Sequence, residues 1–388
     1  MRELKVGIVG WGFMGRTHAF GCQTIPFFYE GLPFVPKLHA VCTRRASQAE
    51  AAKHTHGFRY ATTDYSRLLA DPDIDIVSIC TPNHQHKDMV IDALRAGKHV
   101  YCEKPLAVSE AEAHAILETL AETKRNKPVH AQMVHQYRFY PATLKAKQLI
   151  ATGRLGRILS FRAEYLHSGS VDPNKPIGWK QDRRICGGGV LFDLGSHLLD
   201  LFYHFLGPLA SVSAATATIQ TSRPDKTGQI IDTLGEDLAI LLVKMADGSL
   251  GTVEASKIAT GTDDELRFAI HGDRGALRFN LMEPNYLEFY DNQSKTGPYG
   301  GERGFTRLEC TSRYENPGGD FPSPKASIGW LRGHVHCLYH FLNGIDSGTP
   351  TQPSLTDGAY IQHVMERAYH SAATGSWVKL REQAHAAD

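Results

Sequence analysis

Short apolar runs alternate with amphipathic stretches through the first third of the chain. Apolar runs at residues 4–9, 37–42, 74–80, 98–102 and 128–134 predict strands. Helices are expected between them at residues 13–22, 46–53 and 65–70, from 86 to a stop at 97, and after the capping box at 109–112. This alternation predicts an α/β fold with a doubly wound parallel sheet, which binds ligands at the carboxyl ends of its strands.

The pattern changes after Pro141. One helix is expected at 142–152, and strands are expected at 157–167, 211–219, 237–245, 250–258, 265–271, 276–280 and 287–291. Asp247-Gly248 and Asp273-Arg274-Gly275 are typical of hairpin turns, so we predict a mostly antiparallel sheet. Residues 292–327 are rich in Gly, Pro, Ser and charge, which predicts an excursion over the surface or the active site. A last helix is expected from residue 357 to a stop at 375.

The composition is that of a globular protein with more than one domain. The chain has 388 residues, and we place a domain boundary at residue 130, which gives domains at 1–130 and 131–388. Its 42 basic and 41 acidic residues are well mixed, which argues against a nucleic-acid partner. No apolar run reaches the length of a membrane span, no leader precedes the first strand, and the seven cysteines are scattered. We therefore expect a cytoplasmic protein with free thiols and no membrane partner.

A glycine motif, Gly10-x-Gly12-x-x-Gly15, joins the first predicted strand to the first helix. Gly10 allows a tight turn, Gly12 lets a pyrophosphate approach the backbone, and Gly15 lets the helix pack close to the sheet. The helix N-terminus offers N–H groups and a positive dipole end to the phosphates. The motif therefore predicts a dinucleotide site at this end of the sheet.

The end of the second strand bears on the choice between NAD and NADP. An acidic residue there would bind the adenosine ribose of NAD, but the chain has Thr43 followed by Arg44 and Arg45. Thr43 can donate to a phosphate and Arg44 can pair with one, which favours NADP or at least tolerates it. The alternative is that both arginines are solvated surface residues.

Two clusters contain residues suited to catalysis. Glu103-Lys104-Pro105 follows a predicted sheet strand, where Lys104 can face a bound cofactor and a substrate hydroxyl. Gly187-Gly188-Gly189 precedes a predicted helix on which Asp193 and His197 are four residues apart and share one face. A carboxylate beside an imidazole can orient a hydroxyl and take its proton, but both could also be structural.

Together these motifs resemble the Gfo/Idh/MocA oxidoreductase family. The resemblance rests on the glycine motif, Thr81-Pro82-Asn83-His84-x-His86, Glu103-Lys104-Pro105, Tyr137-Arg138 with Pro141, and Gly187-Gly188-Gly189-x-x-x-Asp193-x-Gly195-x-His197. It implies an N-terminal NAD(P)-binding Rossmann domain and a C-terminal substrate-binding and oligomerisation domain with an open-faced antiparallel sheet. It also implies oxidation or reduction of a sugar or polyol carbon, and a homodimer or homotetramer.

The resemblance assigns roles to particular residues. It makes Lys104, Asp193 and His197 the catalytic set. The expected cofactor contacts are Gly10, Gly12, Phe13, Met14, Gly15, Thr43, Arg44, Thr81, Pro82, Asn83, His86, Glu103 and Lys104. The expected substrate contacts are Lys104, Arg138, Tyr165, Asp172, Trp179, Asp193 and His197. The stretch from Asp172 to Lys180 resembles the substrate loop of members that act on inositol, levoglucosan or glucosides.

Other functions remain open at this point. The His-x-His pairs at 54–56, 84–86 and 334–336 have no third ligand at a recognised spacing, so we expect no metal. A redox glycosidase of the same family would retain its NAD and release an aglycone. A non-catalytic protein that senses the cofactor would keep the fold without turnover, although an intact set of Lys104, Asp193 and His197 argues against it.

Overall fold

We describe residues 1–380 in a computed structural model. The chain forms two compact units, and each is described by itself. Within the described residues, the first unit contains Met1–Phe139 and Tyr314–Gln362, and the second contains Tyr140–Arg313 and residues 363–380. The first boundary lies at residue 139, whereas we expected it at residue 130, and the chain also returns to the first unit after residue 313.

The first unit is built on a sheet of six parallel strands. They are β1 (Arg2–Val9), β2 (Phe34–Cys42), β3 (Tyr60–Thr62), β4 (Ile76–Ile79), β5 (His99–Glu103) and β6 (Ala131–Val134). The spatial order is β3-β2-β1-β4-β5-β6, with a switch point between β1 and β4, and every neighbouring pair is parallel. The predicted doubly wound sheet is therefore confirmed.

Seven helices belong to this unit or begin in it. They are α1 (Phe13–Phe28), α2 (Ala46–His56), α3 (Tyr65–Ala70), α4 (His86–Arg95), α5 (Glu110–Asn126), α9 (Trp330–Ser347) and α10 (Leu355–Thr374), and the division between the units falls within α10. The N-cap at Ser109 forms, with the hydroxyl accepting from the N–H of Glu112, but the reciprocal bond of the predicted capping box is shifted, because the Glu112 carboxylate accepts from the N–H of Val108. The sequence reading missed α9, although Val335, Leu338 and Phe341 repeat at helical spacing and join the same apolar core as Ile25 of α1.

The second unit contains a sheet of nine strands. They are β7 (Ile158–Leu166), β8 (Leu209–Ala217), β11 (Leu238–Met245), β12 (Leu250–Ser256), β13 (Glu265–Gly272), β14 (Gly275–Asn280), β15 (Tyr286–Asp291), β16 (Phe305–Glu309) and β17 (Val378–Lys379). Their order is β16-β15-β14-β13-β7-β12-β11-β8-β17, and every pair is antiparallel except the parallel pair β12 and β7. The mostly antiparallel sheet is confirmed, and both predicted hairpin turns join paired strands.

The remaining elements of the second unit are short or helical. The strands β9 (Ser222–Pro224) and β10 (Ile230–Asp232) form a separate two-stranded sheet, and the helices are α6 (Pro141–Ala151), α7 (Arg183–Cys186) and α8 (Ser196–Leu206). The expected irregular excursion at 292–327 is partly wrong, because β16 pairs with β15 as the outermost strand of the large sheet.

Two whole-chain properties complete the fold. The stretch 183–206 is long and apolar enough to cross a membrane, but 83% of its most apolar window is buried inside the protein, as in a core helix. All seven cysteines lie within residues 1–380 and are free thiols, and six of them are buried.

Candidate active site

The glycine loop after β1 has the shape that a pyrophosphate requires. Gly10 has φ +92°, and a Cβ there would lie 2.6 Å from the carbonyl oxygen of Cys80. A Cβ on Gly15 would lie 2.0 Å from the carbonyl oxygen of Gly10, so this contact also requires glycine. No atom lies within 4 Å of a Cβ on Gly12, so the loop is open on that side. Helix α1 begins at Phe13 without a capping side chain or an acidic residue in its first turn. The loop therefore fits a dinucleotide phosphate.

The loop after β4 is held in place by a buried histidine. Asn83 begins a short 3₁₀ turn, and His86 follows as the first residue of α4. The His86 ring lies with Nδ1 2.8 Å from the Pro105 carbonyl oxygen and Nε2 2.9 Å from the Thr81 carbonyl oxygen. Burial lowers the pKa of His86, although the hydrogen bonds to the two carbonyl groups oppose the shift. The sequence places His86 among the cofactor contacts, whereas this geometry makes it a residue that positions the Thr81 loop.

Glu103, before Lys104, is part of a buried ion pair. His18 Nε2 lies 3.0 Å from Glu103 Oε1, and both side chains are more than nine-tenths buried. On its other side the His18 ring meets Ser78 Oγ at 2.7 Å and Cys80 Sγ at 3.2 Å. Burial alone would lower the pKa of His18, but Cys80 and Glu103 raise it to about 10. The pair of Glu103 and His18 therefore connects the end of β5 to α1, and the sequence did not predict this contact.

The end of β2 presents two exposed arginines, Arg44 and Arg45. The Thr43 hydroxyl is buried, donates to Gln48 Oε1 at 3.2 Å and accepts from the N–H of Arg45. Gln48 also donates to the Trp11 carbonyl oxygen in the glycine loop. Thr43 therefore connects the end of β2 to the glycine loop through Gln48, and both arginines are exposed beside it.

In the second unit, Glu236 builds the turn that precedes Asp193. Its carboxylate accepts from the N–H groups of Gly189 and Leu191, both at 3.0 Å, and from the Tyr369 hydroxyl at 2.8 Å. A Cβ on Gly189 would lie 2.3 Å from the backbone N and O of Glu236. The glycine-rich segment therefore serves close packing against Glu236, which no local pattern indicated.

Asp193 lies in a π-helical turn rather than in an α-helix. Residues Leu191–Gly195 are π-helical, and α8 begins only at Ser196. The expected α-helical start is therefore wrong, and the four-residue spacing does not by itself place Asp193 and His197 on one face. Single π-helical turns inside helices are frequent at functional sites.

Two lysines contact the Asp193 carboxylate. Lys180 Nζ lies 2.7 Å from Oδ1, and Lys257 Nζ lies 3.1 Å from Oδ2. The Lys257 side chain is 11% exposed, whereas Lys180 is 48% exposed. Each oxygen of the predicted catalytic carboxylate therefore contacts an ammonium group, and the sequence reading missed both lysines in this role.

His197 is buried beside Tyr165, and the Tyr165 hydroxyl contacts a second carboxylate, that of Asp264. The rings of Tyr165 and His197 are 6.0 Å apart. The Tyr165 hydroxyl donates to Asp264 Oδ1 at 2.7 Å, and His167 Nε2 lies 2.9 Å from the same oxygen. Although burial opposes ionisation, His167 and Tyr165 keep the pKa of Asp264 below its usual value. The structure thus brings the rings of Tyr165 and His197 near each other and adds Asp264 to this group.

Asp172 and Trp179 lie in an exposed loop of the second unit. The Asp172 side chain accepts from the N–H of Asn174, and its carbonyl oxygen accepts from buried Arg223 at 2.6 Å. Trp179 is 40% exposed and begins the 3₁₀ turn that carries Lys180. The loop is therefore anchored by Arg223 and exposes its aromatic side chain.

Arg138, another expected substrate contact, belongs to the first unit. It is buried, and its Nη1 lies 3.6 Å from Asp357 Oδ2 in the first turn of α10. At least part of the Arg138 guanidinium group is therefore engaged in an ion pair with Asp357.

One group within residues 1–380 has the spacing of metal ligands, namely His39, Asp71 and Asp73. His39 Nε2 contacts Asp71 at 3.0 Å, and Asp73 pairs with Lys5 and Arg59. Because the carboxylates already have cationic or imidazole partners, we assign no metal site to this group.

A parallel 3-2-1-4-5-6 sheet with a phosphate-binding glycine loop, followed by a unit with an open sheet, defines an NAD-binding oxidoreductase. Two family models agree, matching residues 4–130 as an oxidoreductase-family NAD-binding Rossmann fold and residues 147–380 as the C-terminal alpha/beta domain of the same family. The chain belongs to the Gfo/Idh/MocA oxidoreductase family.

Named relatives of this chain include sugar and polyol dehydrogenases. Levoglucosan dehydrogenase of Pseudarthrobacter phenanthrenivorans is 32% identical over 98% of this chain and 99% of that protein. Myo-inositol 2-dehydrogenase of Thermotoga maritima is 25% identical over 98% of this chain and 99% of that protein. A solved complex of levoglucosan dehydrogenase with NADH and levoglucosan superposes with a TM-score of 0.93 at 31% identity, covering 98% of this chain and 100% of that one.

Proposed function

We propose that this protein is a dehydrogenase that uses NAD or NADP to oxidise a ring carbon of a sugar, an anhydrosugar or a cyclic polyol. The observation that carries the proposal is the polar cluster around Asp193, in which Lys180 and Lys257 contact the carboxylate oxygens. Such a cluster is suited to hydroxyl groups, which both donate and accept hydrogen bonds. The similarity to levoglucosan and inositol dehydrogenases supports the same substrate class.

The oxidation has a simple balance of atoms and electrons. A hydride leaves the ring carbon with both electrons of its C–H bond, the hydroxyl gives up its proton, and the carbon becomes a ketone. A bound nicotinamide dinucleotide supplies the hydride acceptor. His197 or Lys104 takes the hydroxyl proton, and Asp193 orients the hydroxyl group. The glycine loop, the Thr81 loop and Arg44 hold the dinucleotide.

The test is a substrate screen with both cofactors. Purified protein is mixed with NAD or NADP and with levoglucosan, myo-inositol, common monosaccharides or aryl glycosides, and NAD(P)H is followed by its absorbance. We expect net NAD(P)H formation with at least one cyclic polyol or sugar. His54→Gln is a matched control, because His54 is an exposed histidine of α2 and should leave the rate unchanged.

Two other outcomes would contradict the proposal. Release of an aglycone from aryl glycosides without net NADH would identify a redox glycosidase. Cofactor binding without turnover of any ring compound would identify a cofactor-sensing protein.

A further inference from the structure

His334 is a buried histidine that the proposed reaction does not use. It lies in the second turn of α9 and is 4% exposed. Neither ring nitrogen has a hydrogen-bond partner among residues 1–380. Buried polar groups in proteins are almost always satisfied, so a ring with both nitrogens unsatisfied calls for a partner from outside the chain, such as a ligand or a water molecule. The sequence had drawn attention to it only as half of a His-x-His pair.

The surroundings of His334 place it at the carboxyl end of β5. Electrostatic effects of Glu103, His18 and Lys104 all act on its ring. Burial is the main cause that lowers the pKa of His334, to about 3, so the imidazole is neutral at any working pH. A neutral imidazole offers one N–H donor and one acceptor nitrogen.

Aromatic contacts connect His334 to the phosphate loop. The Trp330 ring, one turn earlier in α9, lies 4.2 Å from the His334 ring and 5.4 Å from the Phe13 ring. Phe13 follows Gly12 and is 70% exposed. His334 is therefore linked through Trp330 to Phe13 of the glycine loop, and the charge of Lys104 at the end of β5 acts on its ring.

The order of the strands indicates which half of a bound dinucleotide lies near His334. The pyrophosphate lies at the loop after β1, and the adenosine ribose lies at the end of β2. The two halves of a doubly wound sheet each bind one nucleotide, so the nicotinamide half extends over the ends of β4 and β5. Among the groups that act on the His334 ring, Glu103 and Lys104 lie at the end of β5.

We propose that His334 binds the nicotinamide riboside half of the dinucleotide through its two ring nitrogens. The donor and acceptor of the neutral ring match a carboxamide, which has an N–H and a carbonyl oxygen, and also a pair of ribose hydroxyls. The proposal rests on the dinucleotide site and not on the identity of the sugar. Its test needs neither substrate nor turnover, so it can fail while the proposed dehydrogenase activity stands.

The experiment compares two ligands by calorimetry. NADH contains the nicotinamide riboside, and ADP lacks it. His334→Leu should weaken NADH binding about tenfold, as expected for lost hydrogen bonds to a buried group, and leave ADP affinity within about twofold. His334→Gln keeps an amide donor and acceptor and should recover most of the NADH affinity. His336→Asn is the matched control, because His336 lies two residues further along α9 and contacts the Tyr29 hydroxyl at 2.7 Å. It should leave the ratio of the two affinities unchanged.

Three results would overturn the proposal. The first is an unchanged NADH affinity in His334→Leu. The second is that His334→Leu loses affinity for NADH and for ADP equally. The third is that His336→Asn loses NADH affinity as selectively as His334→Leu does. If His334→Leu does not fold, nitrogen NMR of histidine-labelled wild-type protein decides. The ring signals of His334 are those that are missing from the spectrum of His334→Gln. In the wild-type protein, NADH should shift these signals and ADP should not. Unshifted signals would reject the contact.

Discussion

The ammonium group of Lys257 lies 3.1 Å from Asp193 Oδ2, and the two side chains are 11% and 14% exposed. Lys257 directly follows β12, whereas Asp193 lies in the π-helical turn before α8. Water screens this pair far less than an ion pair on the surface. Lys257 is therefore the partner that fixes the position of the carboxylate, and the more exposed Lys180 is the partner that a substrate can displace.

Lys257→Met should lower turnover and stability together. Loss of Lys257 removes the more buried of the two ammonium groups that contact Asp193, which we expect to cost about 1–3 kcal/mol of unfolding free energy. Turnover on the sugar should fall at least about tenfold because Asp193 is no longer held. Urea denaturation and steady-state kinetics measure the two effects.

Lys180→Met is the matched control for Lys257→Met. Its side chain is half-exposed, and exposed ion pairs contribute about 0–1 kcal/mol. We expect little change in stability and a change mainly in the sugar KM. A loss of stability equal to that of Lys257→Met would show that burial does not distinguish the two lysines.

Asp193 and His197 should act as one catalytic unit. His197→Ala should have a lower rate of oxidation than the wild type. Its rate should also no longer fall at low pH, because that fall is caused by protonation of a histidine base. Asp193→Ala should lose rate and weaken sugar binding. The double variant should be hardly worse than the worse single variant, since groups that act together are not additive.

pH–rate profiles of the wild type and these three variants test that prediction. Multiplicative losses in the double variant would mean that the two residues act independently. An unchanged decrease at low pH in His197→Ala would mean that another group is the base.

The parts of the fold that the sequence predicted depend on local patterns. Alternation of apolar runs and helices is enough for the six-stranded sheet, and Gly10 and Gly15 are required by contacts within one loop. The strands of the second unit followed from their turns in the same way. The π-helical turn at Leu191–Gly195 was missed because its sequence is equally compatible with an α-helix.

The parts that the sequence could not predict depend on contacts between distant residues. Glu103 and His18 are 85 residues apart, and Tyr165 and Asp264 are 99 apart. No spacing rule connects such residues, so Glu236, Lys257 and Asp264 carried no signal by themselves. Helix α9 is different, because its apolar periodicity was visible and only its packing against the core of the first unit required the structure.

Lys104→Met should separate cofactor binding from catalysis. The variant should bind NADH nearly as tightly as the wild type, because the glycine loop and the Thr81 loop are intact. Turnover should fall by roughly two to four orders of magnitude, the usual range for a lost general acid–base group. Fluorescence titration of NADH and a substrate assay measure both quantities. Turnover above about a tenth of the wild-type value would reject the catalytic role of Lys104.

NADP should bind within about tenfold of NAD, or more tightly. No acidic residue at the end of β2 repels a 2′-phosphate, and Arg44 and Arg45 are exposed there. Fluorescence titration of both cofactors is the measurement. Arg44→Ala should weaken NADP and leave NAD unchanged, with Arg59→Ala as a control on an exposed arginine that pairs with Asp73. A preference for NAD of about a hundredfold, or about 2.7 kcal/mol, would contradict the prediction.

The contacts of buried His18 with Cys80 and Glu103 should make stability depend on pH in a defined window. The pKa of His18 is about 10 in the folded protein, against an ordinary value of 6.5 in the unfolded chain. Below pH 6.5 both states hold the proton, and the stabilisation is complete. Between pH 6.5 and 10 only the folded state holds it, so stability falls by up to about 1.4 kcal/mol per pH unit.

His18→Gln should be less stable than the wild type at pH 6.5, and the difference should shrink as the pH rises to 9.5. Urea denaturation at pH 6.5, 8 and 9.5 measures it. His99→Asn is the matched control, because burial lowers the pKa of His99 to about 4. Replacement of His99 should therefore change the pH dependence only below pH 6.5. Parallel stability curves for the wild type and His18→Gln from pH 6.5 to 9.5 would show that His18 is neutral in the folded protein and that Glu103 is not paired with a cation there.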